Sequence, residues 1–264
     1  MNLKKSYIEK YGYERVITDR NSPLTFAELD FLKLAEGQSY TVDEKGKEFA
    51  LIILYGKCSV KGENFAFDEV GCRENVFDGA AESVYVGKDT TFTVTAKGGD
   101  VKIAVAKAPA NNYYEPYHIK KDEVVMKTFG KGAFVREVAF TFPETNQANY
   151  LYIGEFWVED GKWGSYPPHK HDIDNMPTEG ALDEIYYFEF DKPQGFGFQA
   201  VYTKENDINE VYKVKTGDMV EVPKGYHPFT VAPGYKNYCL WIMAGPKRGL
   251  LSSPEEEHKW VNNK

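Results

Sequence analysis

The sequence predicts an all-β protein made of two antiparallel β-barrel halves of similar size. Three observations carry that expectation. Aromatic residues form 15% of the 264-residue chain, with 19 Tyr and 17 Phe, and such side chains suit pleated, half-buried surfaces. The 23 Gly and 13 Pro are scattered and cut the chain into short β-rich runs at regular spacing. A polar stretch with two prolines, 109–131, separates two sets of such runs, which places the halves at 1–115 and 116–264.

In chain order, "SPLTFAELDFLKLAEG" (22–37) is the one candidate helix of the first half, and its pattern is ambiguous. "EFALIILYGKCSV" (48–60) is an apolar run, a Gly turn and an alternating run, so two strands are expected. "ESVYVGKDTTFTVTAKGGDVKIAVAKAPA" (82–110) divides into three strands at Gly87 and at Gly98-Gly99. Beyond the bridge, "FVREVAFTF", "NYLYIGEFWVE", "DEIYYFEF", "FGFQAVYT", "VYKVKTGDMVEVP", "HPFTVAP" and "YCLWIMAG" continue the β pattern. The tail "SSPEEEHKW" has a Ser N-cap, a Pro at the first position and early glutamates, the signature of a short helix. Short strands in such number suggest sandwiches or barrels.

Composition narrows the function. A net charge of -8 argues against a general nucleic-acid binder, which needs a basic footprint, but leaves room for a small anionic substrate. Cys58, Cys72 and Cys239 are sparse and odd in number, with no C-x-x-C pair, as expected in a reducing compartment. The first twenty residues hold two lysines without an apolar core after them, and no run approaches the ~18 apolar residues of a membrane span. A soluble, cytoplasmic protein is the expectation. "GFGFQA" lacks the third Gly of a dinucleotide loop, and no G-x-x-x-x-G-K-[ST] occurs.

Chemistry concentrates after the bridge. In "YPPHKH" the prolines favour extended backbone, and residues two apart on a strand face the same side about 6–7 Å apart. His169 and His171 can therefore converge on one ion, with Lys170 turned away. An H-x-H pair alone does not define a site. A second element, "GDMVEVPKGYH", runs from a Gly-Asp turn through a strand to a Pro223–Gly225 turn that delivers His227. The twelve residues "DIDNMPTEGALD" form an excursion at the barrel mouth, and the strand "EIYYFEF" follows. With period two, Glu184, Tyr186, Phe188 and Phe190 share one face, and Ile185, Tyr187 and Glu189 the other. A carboxylate heading an aromatic face needs a partner, and a bound cation is one. Glu184 is the acid of choice, with Glu179 in the excursion as runner-up.

These two elements resemble the paired motifs of the cupin superfamily, small β-barrels that hold a divalent metal with three His and one Glu. The resemblance implies a bicupin with jelly-roll-like halves. It implies His169, His171, Glu184 and His227 as metal ligands; the N-terminal half has no H-x-H pair and is expected to be metal-free. Gly225 to His227 is one residue short of the general pattern, and the acid stands unusually far behind His171. Both departures are expected in a narrower family. "SYPPHKHD", "LDEIYYFEF", "QGFGFQAVYT", "GDMVEVPKGYHPFTVAPGY" and "MAGPKR" occur in this order in the 5-deoxy-glucuronate isomerases of inositol catabolism, which this chain resembles over 132–260. The resemblance implies conversion of 5-deoxy-D-glucuronate, an aldose, to the ketose 5-dehydro-2-deoxy-D-gluconate.

The residues suit that chemistry. Three nitrogen donors and one oxygen fit Zn, Mn, Fe or Ni, and such an ion is a Lewis acid for a carbonyl and its neighbouring hydroxyl. Tyr186 and Glu179 are the candidates for the base, neither of them decisive. Arg136 and Arg248 are candidates for the substrate carboxylate, because a guanidinium fork matches it better than an ammonium. Tyr166 and Gln199 are candidates for hydroxyl partners. His118 and His258 lie in polar segments and read as incidental. The alternatives are an isomerase of 5-keto-4-deoxyuronate type, an iron dioxygenase on the same ligands, and a non-catalytic sugar-binding bicupin. Pairing of barrel edges between subunits makes a homo-oligomer a further expectation.

Overall fold

Runs of β-branched and aromatic residues bounded by Gly turns form strands throughout the computed structural model, which describes residues 2–143 and 145–263. In the C-terminal half a seven-stranded sheet runs, in spatial order, Lys4–Ser6, Asp218–Val222, Asp183–Phe190, Lys236–Ala244, Leu151–Glu159, Arg136–Phe142 and Val125–Phe129. A four-stranded sheet of Trp163–Gly164, Phe229–Val231, Gly197–Tyr202 and Asn209–Val214 packs on it, and the two enclose one apolar core. In the N-terminal half a six-stranded sheet (Tyr117–Ile119, Ser83–Val86, Lys47–Tyr55, Val101–Pro109, Glu28–Leu34, Gly12–Ile17) and a four-stranded one (Ser39–Val42, Phe92–Ala96, Cys58–Gly62, Ala66–Val70) enclose a second core. The pairings within both large sheets are antiparallel.

A third core joins the halves. Leu29, Phe31, Ala50 and Ile52 from one large sheet meet Ile153, Ile185, Tyr187 and Leu240 from the other. The rings of Phe31 and Tyr187 lie 4.9 Å apart across this seam. The central strands of the large sheets, such as Lys47–Tyr55, Val101–Pro109, Leu151–Glu159 and Lys236–Ala244, are thus buried on both faces. On Asp183–Phe190 the expected alternation holds: Tyr186, Phe188 and Phe190 face the C-terminal barrel, and Ile185 and Tyr187 face the seam.

The two halves also exchange strands. Lys4–Ser6, at the start of the chain, pairs with Asp218–Val222, while Tyr117–Ile119 pairs with Ser83–Val86. A cut at residue 115 therefore does not separate the sheets cleanly. Polar ties cross the seam as well. Arg73 donates to Glu155 at 2.8 Å, both side chains being fully buried, and Glu155 also accepts from Tyr238 Oη at 2.6 Å and the Ala81 amide at 2.8 Å. Removing one partner of such a pair leaves a buried charge uncompensated. Arg73→Ala is expected to cost about 3–5 kcal/mol, measured by urea unfolding followed at the tryptophans. A loss under about 1 kcal/mol would mean that the tie contributes no more than an exposed pair.

Three local expectations are corrected. The 22–37 segment holds the strand Glu28–Leu34, not a helix. Leu29 and Phe31 enter the seam while Leu32 and Leu34 enter the barrel, and this double burial gives an apolar spacing that mimics a helical face. The bridge is ordered, contributing Tyr117–Ile119 to one sheet and Val125–Phe129 to the other. The tail helix is a 3-10 helix that begins only at Glu256. Ser253–Pro254, expected to cap it, instead form a short strand against His169–Lys170. The tail is thereby drawn onto the functional site.

Candidate metal centre

Two hydrogen bonds close the twelve-residue excursion behind His171. The Leu182 amide donates to the His171 carbonyl at 2.8 Å, and His171 Nδ1 bonds the Leu182 carbonyl at 3.0 Å. His171 therefore sits beside Glu184 although thirteen positions separate them. Within the excursion, Glu179 is buried and accepts from the Asp172 amide at 2.9 Å, the Ile173 amide at 3.1 Å and Lys170 Nζ at 2.7 Å. It folds the loop and does not line the cavity beside Glu184, so the runner-up ligand and base candidate is corrected to a loop-holding acid. Asp172 accepts from the Gly225 amide at 2.8 Å and so joins this loop to the turn that presents His227. Gly225 has φ +92°, and a Cβ there would lie 2.4 Å from the Tyr202 carbonyl oxygen, so only glycine fits the turn.

The Glu184 carboxylate is the hub. Its Oε2 lies 2.9 Å from His171 Nε2 and 3.1 Å from His227 Nε2, and all three residues are buried. One ligand atom from each lies within 4.8 Å of the others. The His169 ring stands alongside, half-buried, 4.8 Å from the His227 ring and 6.3 Å from that of His171. Each imidazole is oriented from behind: Nδ1 faces the carbonyl of Pro167 at 3.2 Å (His169), Leu182 at 3.0 Å (His171) or Gly225 at 2.9 Å (His227). A carbonyl oxygen only accepts, so Nδ1 carries the proton in each ring and Nε2 is left as a lone pair.

That arrangement fits a cation. His171 and His227 aim bare nitrogens at one carboxylate oxygen, and Glu184 Oε1 and His227 Nε2 have no hydrogen-bond partner. Acceptors facing acceptors inside a buried site need a positive charge between them, and backbone-oriented imidazoles are the usual support of a metal. The electrostatics agree. Burial opposes ionisation of Glu184, but the close approach of the His171 and His227 rings outweighs it and holds the carboxyl well below the usual carboxylate range, so the carboxylate keeps its negative charge. Burial, helped by the His227 and His171 rings, pushes His169 down to about 3.

A cavity of about 80 Å³ opens beside this cluster, with His169, Glu184, Tyr186, Ser165 and Arg136 as its polar lining. It shares Phe129, Arg136, His169 and Leu250 with an outer vestibule of about 310 Å³. Arg136 Nη1 donates to the carbonyls of Phe134 at 3.1 Å and Tyr166 at 3.3 Å, and among the described residues no carboxylate lies within ion-pair distance. Burial weakens its hold on its proton, and the nearby Tyr186 acts in the opposite direction. Tyr186 donates to Ser165 Oγ at 3.2 Å, and burial, then the charge of Glu184, raise its pKa well above the ordinary tyrosine value.

The other sequence candidates divide. Tyr166 lines the outer vestibule, its ring against Phe134 and Trp163. Gln199 is buried behind His227, where its Nε2 donates to the His227 carbonyl, so it supports a histidine and does not line the cavity. Arg248 is corrected: it donates to the carbonyls of Leu151, Asn146 and Pro143 and lies over the Phe142 ring, clamping the chain that leaves the barrel. Sequence reasoning missed Ser165, whose φ of +49° turns it toward Tyr186. It also missed the apolar lining, including Trp241, Met243 and Leu250. The alternation in "LWIMA" marks the first two as inward-facing, whereas nothing local marks Leu250.

The chain matches the KduI/IolB family over residues 3–261. It is 38% identical to the 5-deoxy-glucuronate isomerase of Bacillus subtilis over 247 residues, covering 93% of this chain and 91% of that one. The chain belongs to the KduI/IolB family. The 5-deoxy-glucuronate isomerase of Bacillus licheniformis is 39% identical over 243 residues, covering 91% and 89%. An IolB-like protein of Salmonella typhimurium LT2 superposes with a TM-score of 0.94 at 34% identity, over 99% of this chain and 100% of that one. This KduI/IolB chain also shares its fold with the oxalate decarboxylase of Lactobacillus farciminis, at a TM-score of 0.68 and 11% identity over 100% and 91% of the two chains. The fold is a bicupin. Among the described residues no helix is long and apolar enough to cross a membrane.

Proposed function

We infer that this KduI/IolB member is a metal-dependent aldose–ketose isomerase acting on 5-deoxy-glucuronate, the activity for which its curated relatives are named. The observation that carries the reading is the shared cavity: Arg136, a guanidinium without an acidic partner among the described residues, opens on the same space as His169 and Glu184. A sugar acid has a carboxylate at one end and a carbonyl at the other, and this cavity offers a receptor for each. His169, His171, Glu184 and His227 hold the divalent ion. When bound, it supplies Lewis-acid polarisation of the substrate's carbonyl and adjacent hydroxyl.

The chain's own residues do the rest. Arg136 receives the carboxylate through charge-assisted hydrogen bonds and fixes the length of chain that fits between it and the histidines. Tyr186 keeps its proton, so it is not the base, and its one O–H is given to Ser165 Oγ. Ser165 holds the Tyr186 hydroxyl in position. The aromatic lining limits the access of bulk water to C1 and C2, the adjacent carbons between which the proton moves.

Incubation with 5-deoxy-D-glucuronate in D2O, followed by proton NMR, tests this. Formation of the ketose with deuterium at its new methylene is the expected result. Absence of conversion by metal-replete protein would overturn the substrate assignment.

A further inference from the structure

We propose that the apolar wall beside Arg136, formed by Phe129, Phe140 and Leu250, selects a substrate with a methylene, not a hydroxyl-bearing carbon, next to its carboxylate. The inference rests on the isomerase reading and extends it to specificity. Arg136 is the one charged group of the cavity lining outside the Glu184–histidine cluster. Its guanidinium lies 6.0 Å from the Phe129 ring centre, and the Phe140 and Leu250 side chains line the same space. A carboxylate seated on Arg136 places its neighbouring carbon among these three side chains, none of which offers a hydrogen bond.

In 5-deoxy-glucuronate that neighbouring carbon is C5, the carbon lacking a hydroxyl, while the reacting C1 and C2 lie at the other end. A hydroxyl on C5 would be stripped of water without a new partner. Apolar pockets reject an added hydroxyl by a factor of about 10 to 100.

Leu250 is the informative member of the wall. It is 41% exposed and stands at the mouth of the cavity. The chain carrying it is pinned on both sides. Arg248 makes its three carbonyl bonds just before it, and just after it the Leu251 carbonyl accepts the Gly180 amide at 2.9 Å. The leucine is thus a fixed part of the mouth, lining both the inner cavity and the vestibule.

The test compares kcat/KM for 5-deoxy-D-glucuronate and for D-glucuronate, which differs by the C5 hydroxyl, in wild type, Leu250→Asn and Phe129→Tyr. Glucuronate closes a six-membered ring through that hydroxyl, so less of it is open-chain aldehyde and the wild-type preference alone decides nothing. The free-sugar equilibrium is the same for every enzyme, so the change in the ratio between variants reports the wall. We expect the ratio to fall about tenfold in Leu250→Asn, with a smaller fall in Phe129→Tyr. Both positions are only partly buried, and unchanged melting temperatures would confirm folding. A ratio within twofold of wild type in both variants would overturn the wall while leaving the isomerase reading intact. Wild-type enzyme that converts neither compound would remove the isomerase reading and this inference with it.

Discussion

Glu184→Gln is expected to leave the fold intact and to empty the metal centre. The substitution keeps the shape of the side chain and removes the charge on which two bare imidazole nitrogens converge. Gln then offers one weak oxygen and an NH2 that can itself donate to His171 or His227, so the cation loses both a ligand and the reason to be there. We expect the metal content after purification to drop from about one ion per chain to below about a tenth. Isomerase activity should fall on the order of 10³-fold, since the Lewis acid contributes several kcal/mol of transition-state stabilisation. Far-ultraviolet circular dichroism should be unchanged. Chelation of the wild type should lower its melting temperature, because saturation at about 100 times the dissociation constant adds about 2.7 kcal/mol. A Glu184→Gln protein with full metal content and activity would show that the ion is held elsewhere.

Arg136→Met should behave in the opposite way: metal retained, substrate lost. The guanidinium is partly buried beside the cavity, keeps no acidic partner among the described residues, and has burial working against its charge. Such a group is a poor contributor to stability and a good receptor for an incoming carboxylate. We expect kcat/KM to fall roughly 10² to 10³-fold, the worth of one or two charge-assisted hydrogen bonds of about 1.5–3 kcal/mol each. Arg136→Lys should recover only part of this, because an ammonium lacks the planar fork. The melting temperature of Arg136→Met should be equal to or above that of wild type. A large loss of stability with unchanged kcat/KM would make Arg136 a structural residue tied to the Phe134 and Tyr166 carbonyls.

The site was partly legible from residue order. His169, His171 and His227 fall in short extended segments or tight turns, where local geometry limits the direction of a side chain, and Glu184 heads a strand whose alternation assigns its face. Glu179 and Arg248 were misread for a common reason. Each has the right functional group in the right neighbourhood, but whether that group turns to the cavity or to nearby backbone is settled by amides and carbonyls that residue identity does not reveal. Glu179 meets the Asp172 and Ile173 amides, and Arg248 meets three carbonyls of the 143–151 segment. The misassigned 22–37 segment has a similar origin, since a strand buried on both faces loses the period-two signal.

What the sequence determined by itself was therefore local: an all-β chain from its short apolar runs, the turn at Gly225, the face of Glu184, and a chemistry of imidazole and carboxylate. The tertiary structure alone decided three things. It brought His171 back to Glu184 across the excursion, laid the chain around Leu250 and Ser253–Pro254 over the mouth, and lent the first strand to the C-terminal sheet. Each of these is a contact between segments remote in sequence. Their free energy comes from burying surface and satisfying backbone groups that neither segment can bury or satisfy alone.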